Sequence, residues 1–483
     1  MNKVCLGVIM GNRGLFPGYL STEGRKKTIE VLERQGFDVV VTAEKETKYG
    51  AIENLQEAKK CAQVFRRNRD RIDGILVSLP NFGDERAIAE TIKMSEINVP
   101  VLVQAFPDEL KKMDVKHRRD SFCGKLSACN NLKQYGIPFS LTKLHTVSPS
   151  SKDFISDIEW FAGVCRVVKG LRKARIGTIG ARTTPFKTVR FNEKLLEYVG
   201  VSVETIDLLE IILQVEKLKD SDRAVQNQLK ELKEYCPAAG VPEDALLKMA
   251  KLGVVIKRWV KENELDACAL RCWPELQDAI GVFPCSFMSM MSNSLVPFAC
   301  EVDAMGALAM YALQLASGKP SAILDWNNNY GSDPDKTVLF HCSNAPCSIL
   351  KNPSMSYNAI HANVKGSCES SYGTCVGKIK PGPMTFLRIS DTLGDIVACF
   401  GEGEFTDDPI DTFGGIGVAK IEGLQKLLQF LCKNGFEHHV AVNQTNVADM
   451  LGEAFANYLG WDVYHHMGSD LNIQQLNYKI RNN

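Results

Sequence analysis

The sequence predicts an α/β protein with two doubly wound parallel-sheet domains, followed by a β-rich, antiparallel, barrel-like C-terminal domain. Short apolar runs alternate with amphipathic stretches through the first two thirds of the chain, which is typical of parallel strands joined by crossover helices. In the last third, short alternating runs punctuated by glycines indicate antiparallel strands instead. A chain of 483 residues is too long for one core. We expect domains at residues 1–165, 166–330 and 331–483.

The first domain begins with an apolar run that a Gly-Asn-Arg-Gly segment ends. Buried, parallel strands read as short, nearly continuous apolar runs, and the intervening helices show apolar residues at helical spacing. The predicted strands are 3–10, 37–42, 74–78 and 101–104. The predicted helices are 21–35, 54–69 and 85–94.

The second domain repeats this alternation after a long apolar helix predicted over 155–171. The predicted strands are 174–179, 201–207 and 267–271. The predicted helices are 191–199, a charged stretch over 215–235, and 243–263. We expect this domain to end between residues 320 and 330.

The third domain is predicted from a change in the spacing of apolar residues along the sequence. Alternating runs such as 336–340 and 384–389 are separated by Gly-containing turns, which favours an antiparallel barrel or a sandwich. A final helix over 447–459 and a last strand over 461–465 complete the prediction.

The charge balance argues against two classes of partner. Lys+Arg and Asp+Glu are equal at 57 each, so no basic excess indicates a nucleic-acid surface. No apolar run has the length of a membrane span, and the N-terminal residues do not resemble a signal peptide. We expect a soluble cytoplasmic protein with a small-molecule ligand.

Sixteen cysteines are scattered along the chain without a Cys-x-x-Cys motif. Their spacing excludes a zinc ribbon, and we interpret most of them as small buried apolar residues. The tightest pairs in sequence are Cys268/Cys272, Cys342/Cys347, Cys123/Cys129 and Cys368/Cys375.

Familiar nucleotide and hydrolase motifs are missing from the sequence. Residues 7–14 and 177–180 contain glycines, but neither segment has the Gly-x-Gly-x-x-Gly spacing of a dinucleotide fold. The sequence has neither a Walker A motif nor a Gly-x-Ser-x-Gly nucleophile elbow. Doubly wound domains alone therefore do not indicate dinucleotide binding.

Two acidic residues stand where apolar runs end. Glu301 follows the apolar segment 296–300 and precedes a helical run, and Asp325 ends the apolar run 321–324. A charge beside buried strands is costly unless it is paired or coordinated, and carboxylates suit Mn²⁺ or Mg²⁺. Two structural alternatives remain open, because Glu301 could favour a helix dipole and Asp325 could form a turn.

Histidines provide candidate nitrogen ligands. His438 and His439 are adjacent, so on a strand they face opposite ways and only one should face a site with the carboxylates. We predict His438 as that ligand. His341, at the end of a predicted strand, is a candidate fourth ligand, although a strand-end histidine is more often structural.

These segments together carry a family resemblance. The segment 298–310, which contains Glu301, resembles the metal-binding glutamate segment of L-fucose isomerases, and Leu324-Asp325-Trp326 resembles their metal-binding aspartate. The segment 434–440, followed by Asp449, resembles the C-terminal histidine motif that L-fucose and L-arabinose isomerases share. The three segments occur in family order. His341 stands where L-arabinose isomerases carry a further histidine that L-fucose isomerases lack.

The resemblance implies an aldose–ketose isomerase that works through an enediol. It implies that Glu301 and Asp325 are metal ligands and also the acid/base pair, with His438 and His341 as further ligands. It implies Mn²⁺ as the cofactor, with Mg²⁺ as the alternative, and a homo-oligomer, trimeric or hexameric, with sites between subunits. A metal-dependent lyase or epimerase and a non-catalytic sugar-binding protein remain as alternatives.

The substrate contacts are less specific in sequence. Trp326 could stack on a sugar face or pack in the core. Arginines near element ends could bind an anionic group through paired hydrogen bonds, which would fit a sulfonated sugar such as sulfoquinovose. These arginines are Arg13, Arg182, Arg190 and Arg271.

Overall fold

The computed structural model describes residues 3–392 and 394–468. The described chain divides into two compact units. The first comprises the residues up to Lys169 together with Glu453–Gly460, and the second comprises Gly170–Gly452 together with the residues from Trp461 onward.

The first unit contains a five-stranded, wholly parallel sheet in the order β2-β1-β3-β4-β5. Its strands are β1 (Cys5–Met10), β2 (Asp38–Val40), β3 (Gly74–Leu79), β4 (Val101–Ala105) and β5 (Ser140–Leu141). Its helices are α1 (Tyr19–Arg34), α2 (Leu55–Arg67), α3 (Glu85–Ser95), α4 (Ser121–Gln134) and α5 (Lys152–Leu171). This strand order is that of a doubly wound fold, as the sequence predicted.

The second unit begins with a four-stranded parallel sheet in the order β7-β6-β8-β9. Its strands are β6 (Arg175–Ile179), β7 (Ser202–Ile206), β8 (Ala267–Leu270) and β9 (Phe298–Cys300). The associated helices are α6 (Glu193–Tyr198), α7 (Leu208–Glu216), α8 (Arg223–Tyr235), α9 (Glu243–Glu262), α10 (Glu275–Ala279), α11 (Cys285–Asn293) and α12 (Ala304–Ser317). The second predicted α/β layer is confirmed.

The predicted helix 215–235 is wrong as one element, because α7 ends at Glu216 and α8 begins at Arg223. The side chain of Asp222 accepts a hydrogen bond from the backbone N–H of Lys219 at 2.8 Å. Aspartate that bonds to nearby backbone in this way competes with helical hydrogen bonds and favours a break.

The rest of the second unit is a nine-stranded, mostly antiparallel sheet. Its strands are β10 (Ser321–Asn329), β11 (Lys336–His341), β12 (Leu350–Tyr357), β13 (Tyr372–Ile379), β14 (Gly382–Ser390), β15 (Val397–Thr406), β16 (Gly415–Lys420), β17 (His439–Asn443) and β18 (Asp462–His466). The accompanying helices are α13 (Ala359–Lys365), α14 (Leu424–Lys433) and α15 (Ala448–Gly452). A π-helical segment at Glu453–Leu459 follows α15 in the chain and belongs to the first unit.

Six of these strands close into an antiparallel barrel. The ring runs β16-β11-β10-β17-β14-β15, and β15 pairs with β16 to complete it. Closure gives every one of the six strands a hydrogen-bonded neighbour on both sides, whereas an open sheet leaves the outer side of its two edge strands unpaired. The predicted barrel-like domain is therefore confirmed. Asp325 lies on β10, so the strand that carries it belongs to this barrel.

None of the described helices is both long and apolar enough to cross a membrane.

Candidate metal centre

A tight turn between β9 and α12 presents two buried acids. Asp303 caps α12, because its Oδ1 atom accepts a hydrogen bond from the backbone N–H of Gly306 at 2.8 Å. Glu301 and Val302 have φ values of 57° and 62°, in the left-handed region that residues with a Cβ rarely adopt. Such backbone costs about 1–3 kcal/mol per residue and clusters at functional sites.

Three neighbouring barrel strands carry the other ligand candidates. On β10, Asp325 lies opposite His439 of β17 on one side and opposite Phe340 of β11 on the other. His341 follows Phe340 and ends β11. The barrel register therefore places an acid and two imidazoles at the same end of adjacent strands.

The side chains of these two regions converge. His439 Nε2 lies 3.5 Å from Glu301 Oε2 and 3.5 Å from Asp325 Oδ1. His341 Nε2 lies 3.7 Å from Glu301 Oε2, and His438 Nε2 lies 3.7 Å from Asp325 Oδ1. The structure thus brings together all four predicted ligands, and it adds His439 at the centre of the group.

Both adjacent histidines approach Asp325, which differs from the expectation that only one could face the carboxylates. The reason is that β17 begins at His439, so His438 precedes the strand and does not follow strand alternation. The His439 side chain is 1% exposed, whereas that of His438 is 37% exposed and stacks on Phe186 with ring centroids 5.9 Å apart. His439 is the more buried of the two and approaches both carboxylates.

A buried charged network lies behind His439. Asp303 Oδ2 is 2.8 Å from His439 Nδ1 and accepts a hydrogen bond of 2.6 Å from Arg388 Nη1. Arg388 also donates from Nε to Glu437 at 2.9 Å, and Ser390 donates to the other oxygen of Glu437 at 3.0 Å. A carboxylate on Nδ1 fixes the ring orientation and leaves Nε2 directed at Glu301 and Asp325.

The network also sets the ionisation of its members. Burial alone would raise the pKa of Asp303, but the charge of Arg388 and the hydrogen bond of His439 hold it well below its usual range. Burial likewise opposes ionisation of Glu301, yet His341 and His439 lower the pKa of its carboxyl to about 2. Both acids are therefore carboxylates at neutral pH.

The second oxygen of Glu301 is held by other groups. Trp273 donates from Nε1 to Oε1 at 3.2 Å, and the Cys272 thiol lies 3.6 Å from the same atom. Oε1 is thereby occupied, and Oε2 is the oxygen that faces the histidines.

The donor set fits a divalent cation. Glu301 Oε2 and Asp325 Oδ1 are buried and have no hydrogen-bond partner among the described residues. Ligands bound at ~2.1–2.2 Å to one ion lie roughly 3.0–3.6 Å apart, close to the separations of these oxygens from His439 Nε2. Carboxylate oxygens suit Mn²⁺ and Mg²⁺.

The predicted substrate contacts have different surroundings. Trp326 packs its ring edge-on against Phe386, 5.7 Å between centroids. Arg271 forms an ion pair with Glu275 and donates to the carbonyls of Ala181 and Arg182 at 3.2 and 3.3 Å.

Two further arginines have other partners. In the second unit, Arg182 donates to the backbone carbonyls of its own loop at Thr183 and Thr184. In the first unit, Arg13 pairs with Glu85 and lies 4.2 Å above the Phe82 ring.

Several site residues were not identified from the sequence as part of the site: Asp303, Arg388, Glu437 and Trp273. Asp303 is two residues after Glu301, and Glu437 is one residue before His438, so their closeness in sequence to predicted ligands could have identified them. Arg388 lies 85 residues from Asp303 and 49 from Glu437, and only the barrel brings them together.

Comparison with known proteins gives two matching family models. Residues 7–172 match the fucose/sulfoquinovose isomerase N-terminal domain, and residues 339–466 match the L-fucose isomerase C-terminal domain. The second match includes His341, His438 and His439.

Individual relatives agree with these models. Sulfoquinovose isomerases of Priestia aryabhattai and Priestia megaterium are each 24% identical over 388 residues, covering 80% of this chain and 83% of theirs. A sulfoquinovose isomerase of a Clostridium species is 27% identical over 255 residues, covering 51% of this chain and 55% of that protein.

Proposed function

We propose that this chain, which belongs to the L-fucose isomerase-like family and is an aldose–ketose sugar isomerase, depends on a metal ion. We also propose that its substrate is an aldose with an anionic group, such as sulfoquinovose. The observation that carries the proposal is the convergence of Glu301 Oε2 and Asp325 Oδ1, both buried without partners, on His439 Nε2. A sugar-binding protein without catalysis has no need of such a set.

Two candidate ligand groups share His439: one adds Glu301 and His341, and the other adds Asp325 and His438. Of these residues, Glu301, Asp325 and His439 would hold the ion, with His341 as a fourth ligand on the Glu301 side. His438, the ligand predicted from the sequence, would line the entrance, because it is more exposed and approaches Asp325 alone. Mn²⁺ is the first candidate and Mg²⁺ the second. The bound ion would polarise the substrate carbonyl and orient the adjacent hydroxyl.

The two carboxylates would move the protons. In the aldose-to-ketose direction, one carboxylate removes the proton from C2, a proton is returned at C1, and the O2 hydroxyl proton is transferred to O1. Both acids approach the same nitrogen of His439, at 3.5 Å each, and so could serve a single substrate. Trp273 and Cys272 hold Oε1 of Glu301, so that Oε2 keeps one orientation.

A cationic loop supports an anionic substrate. The segment 181–190 brings Phe186 against Trp273 and His438, at 5.7 and 5.9 Å between ring centroids. The same loop carries Arg182, Lys187 and Arg190. None of these three cations forms an ion pair with an acidic side chain of the described residues. Guanidinium groups bind sulfonate and phosphate oxygens through paired hydrogen bonds.

We also propose the three domains expected from the sequence, 1–165, 166–330 and 331–483, with β10 of the second domain completing the barrel of the third. The matched family segments end at residue 172 and begin at residue 339, near the two internal borders. A homo-oligomer, trimeric or hexameric, is proposed as well, and light scattering after size-exclusion chromatography would give the stoichiometry.

The test is an NMR assay for ketose after incubation with Mn²⁺ or Mg²⁺. Sulfoquinovose and quinovose form a matched pair, because they differ only in the sulfonate. L-Fucose, D-arabinose and L-arabinose complete the panel. We expect turnover of sulfoquinovose with Mn²⁺, loss of turnover after chelation, and recovery when Mn²⁺ is restored.

Variants of the two carboxylates provide the control. Glu301→Gln and Asp325→Asn should each abolish turnover and weaken Mn²⁺ binding while the circular dichroism spectrum stays that of the wild type. Wild-type Mn²⁺ binding in both variants, together with no turnover of any sugar by the wild type, would overturn the proposal. Preferred turnover of quinovose or L-fucose would overturn the anionic substrate alone.

A further inference from the structure

Three cysteines that are far apart in sequence meet in the second unit. Cys236 follows the end of α8, Cys347 begins a 3₁₀ turn, and Cys375 lies on β13. The Sγ atom of Cys375 is 3.3 Å from that of Cys347 and 3.8 Å from that of Cys236. All three sulfurs lie within 4.8 Å of one another.

The burial of the three thiols is unequal. Cys236 and Cys375 are fully buried, whereas Cys347 is half-buried and gives the cluster a route to solvent. A metal site needs such an entry path in addition to the correct ligands.

Polar groups surround the half-buried thiol. The backbone N–H of Cys347 donates to the hydroxyl of Tyr235 at 2.8 Å, and that hydroxyl lies 2.6 Å from the hydroxyl of Ser289. Ser289 in turn donates to the carbonyl of Ala345 at 2.6 Å. These contacts fix the turn that carries Cys347, as outer-shell contacts fix the ligands of metal sites.

We propose that Cys236, Cys347 and Cys375 form a three-sulfur site for a thiophilic metal ion such as Zn²⁺. Metal–sulfur bonds of ~2.3 Å place neighbouring sulfurs about 3.8–4.0 Å apart. The separations of 3.3 and 3.8 Å from Cys375 Sγ lie near this range. A set made only of thiolates selects soft ions, so this site differs in kind from the oxygen and nitrogen ligands around His439.

Disulfide formation is the other chemistry open to neighbouring thiols. A disulfide between Cys347 and Cys375 would use two of the thiols and leave Cys236 without a role.

Cadmium provides the direct test, because sulfur-to-cadmium charge transfer absorbs in the ultraviolet. Reduced full-length protein, kept in saturating Mg²⁺ to fill the oxygen-rich centre, is titrated with Cd²⁺. We expect one equivalent to produce the band and Zn²⁺ to displace it. Cys347→Ser should reduce the band at least tenfold, and Cys432→Ser, at an exposed cysteine, should leave it unchanged. An unchanged band in Cys347→Ser would overturn the proposal.

Alkylation of the wild-type protein gives a second test. It uses no variant, so misfolding of a variant cannot affect the result. Mass spectrometry should show Zn²⁺ slowing the alkylation of Cys347 at least tenfold, with the exposed Cys123 and Cys432 unaffected. Equal alkylation of Cys347 with and without Zn²⁺ would refute the site. A Cys347–Cys375 disulfide as the sole change, without protection by metal, would also refute it and assign the pair to redox chemistry.

Discussion

Asp303 Oδ2 lies 2.8 Å from Nδ1 of His439, and both side chains are fully buried. The pairing fixes the imidazole so that Nε2 points at Glu301 and Asp325. In metal sites, carboxylates in this position orient the ligand and increase its basicity. The acid that caps α12 is therefore also the group that orients the His439 ring.

We predict that Asp303→Asn weakens Mn²⁺ binding roughly 10–100-fold, as is typical when a group that orients a ligand is changed. The amide keeps the shape of the side chain but removes the charge that Arg388 and His439 contact. Isothermal titration calorimetry measures the change. Asp70→Asn, at a side chain that is 98% exposed, is the control. Equal Mn²⁺ affinity in wild type and Asp303→Asn would contradict the assigned role.

The two adjacent histidines should differ sharply when each is replaced by asparagine. His439→Asn removes the nitrogen nearest both carboxylates, and we expect at least a ~100-fold loss of Mn²⁺ affinity, more than an orienting group gives. His438→Asn should cost less than about tenfold, because its ring approaches only Asp325 and is partly exposed. Calorimetry and the NMR assay give the ranking. The reverse ranking would return the role to His438, as predicted from the sequence.

How much of the candidate site the sequence predicts depends on how far apart in the chain the contributing residues lie. Glu301 and Asp325 were identifiable because each ends an apolar run, which is a local feature. The choice between His438 and His439 depended on whether β17 begins one residue earlier or later, and strand boundaries are the least determined feature of a sequence. Arg388 carried no local signal, since an arginine at that place in a strand is equally typical of a solvated face.

Arg388 should be important for stability. It is 2% exposed and pairs with Asp303 and Glu437, so Arg388→Met leaves two buried carboxylates without their cation. Removing one partner of a buried pair costs about 3–5 kcal/mol. Urea unfolding should therefore show a clearly lower midpoint for the second unit.

A surface pair is the matched control for Arg388. Arg66 contacts Glu96 at 2.6 Å, but their side chains are 47% and 73% exposed. Arg66→Met should cost less than ~1 kcal/mol, because water screens such pairs. Equal midpoints for the two variants would show that the buried network contributes no more than a surface ion pair.

Lys125 gives a pH-dependent test in the first unit. Its side chain is 1% exposed, and Nζ donates to Thr142 Oγ1 at 2.7 Å and to the His145 carbonyl at 2.9 Å. Burial lowers the pKa of Lys125 to about 8. Between that value and the unfolded pKa of ~10.4, the unfolded chain binds more protons, so stability should increase with pH.

The comparison with Lys125→Met isolates this contribution. The stability of the wild type relative to the variant should increase by roughly 1 kcal/mol per pH unit between pH 8 and 10, measured from urea unfolding. Lys26→Met, at an exposed lysine, should show no such trend. A pH-independent difference for Lys125→Met would mean that Lys125 keeps its ordinary pKa in the folded protein.

The cationic loop should determine whether the enzyme prefers an anionic or a neutral sugar. Arg182 is half-buried, and Arg271 holds the loop by donating to the carbonyls of Ala181 and Arg182. A hydrogen bond to a charged group contributes about 1.5–3 kcal/mol, so Arg182→Ala should raise KM for sulfoquinovose ~10–100-fold with little change in kcat. The KM for quinovose should stay the same, because that sugar has no sulfonate to lose a partner. Arg69→Ala, 74% exposed in the first unit, is the control. If KM rises equally for both sugars, the loop shapes the site but does not bind the sulfonate. The anion-binding group would then lie on another element.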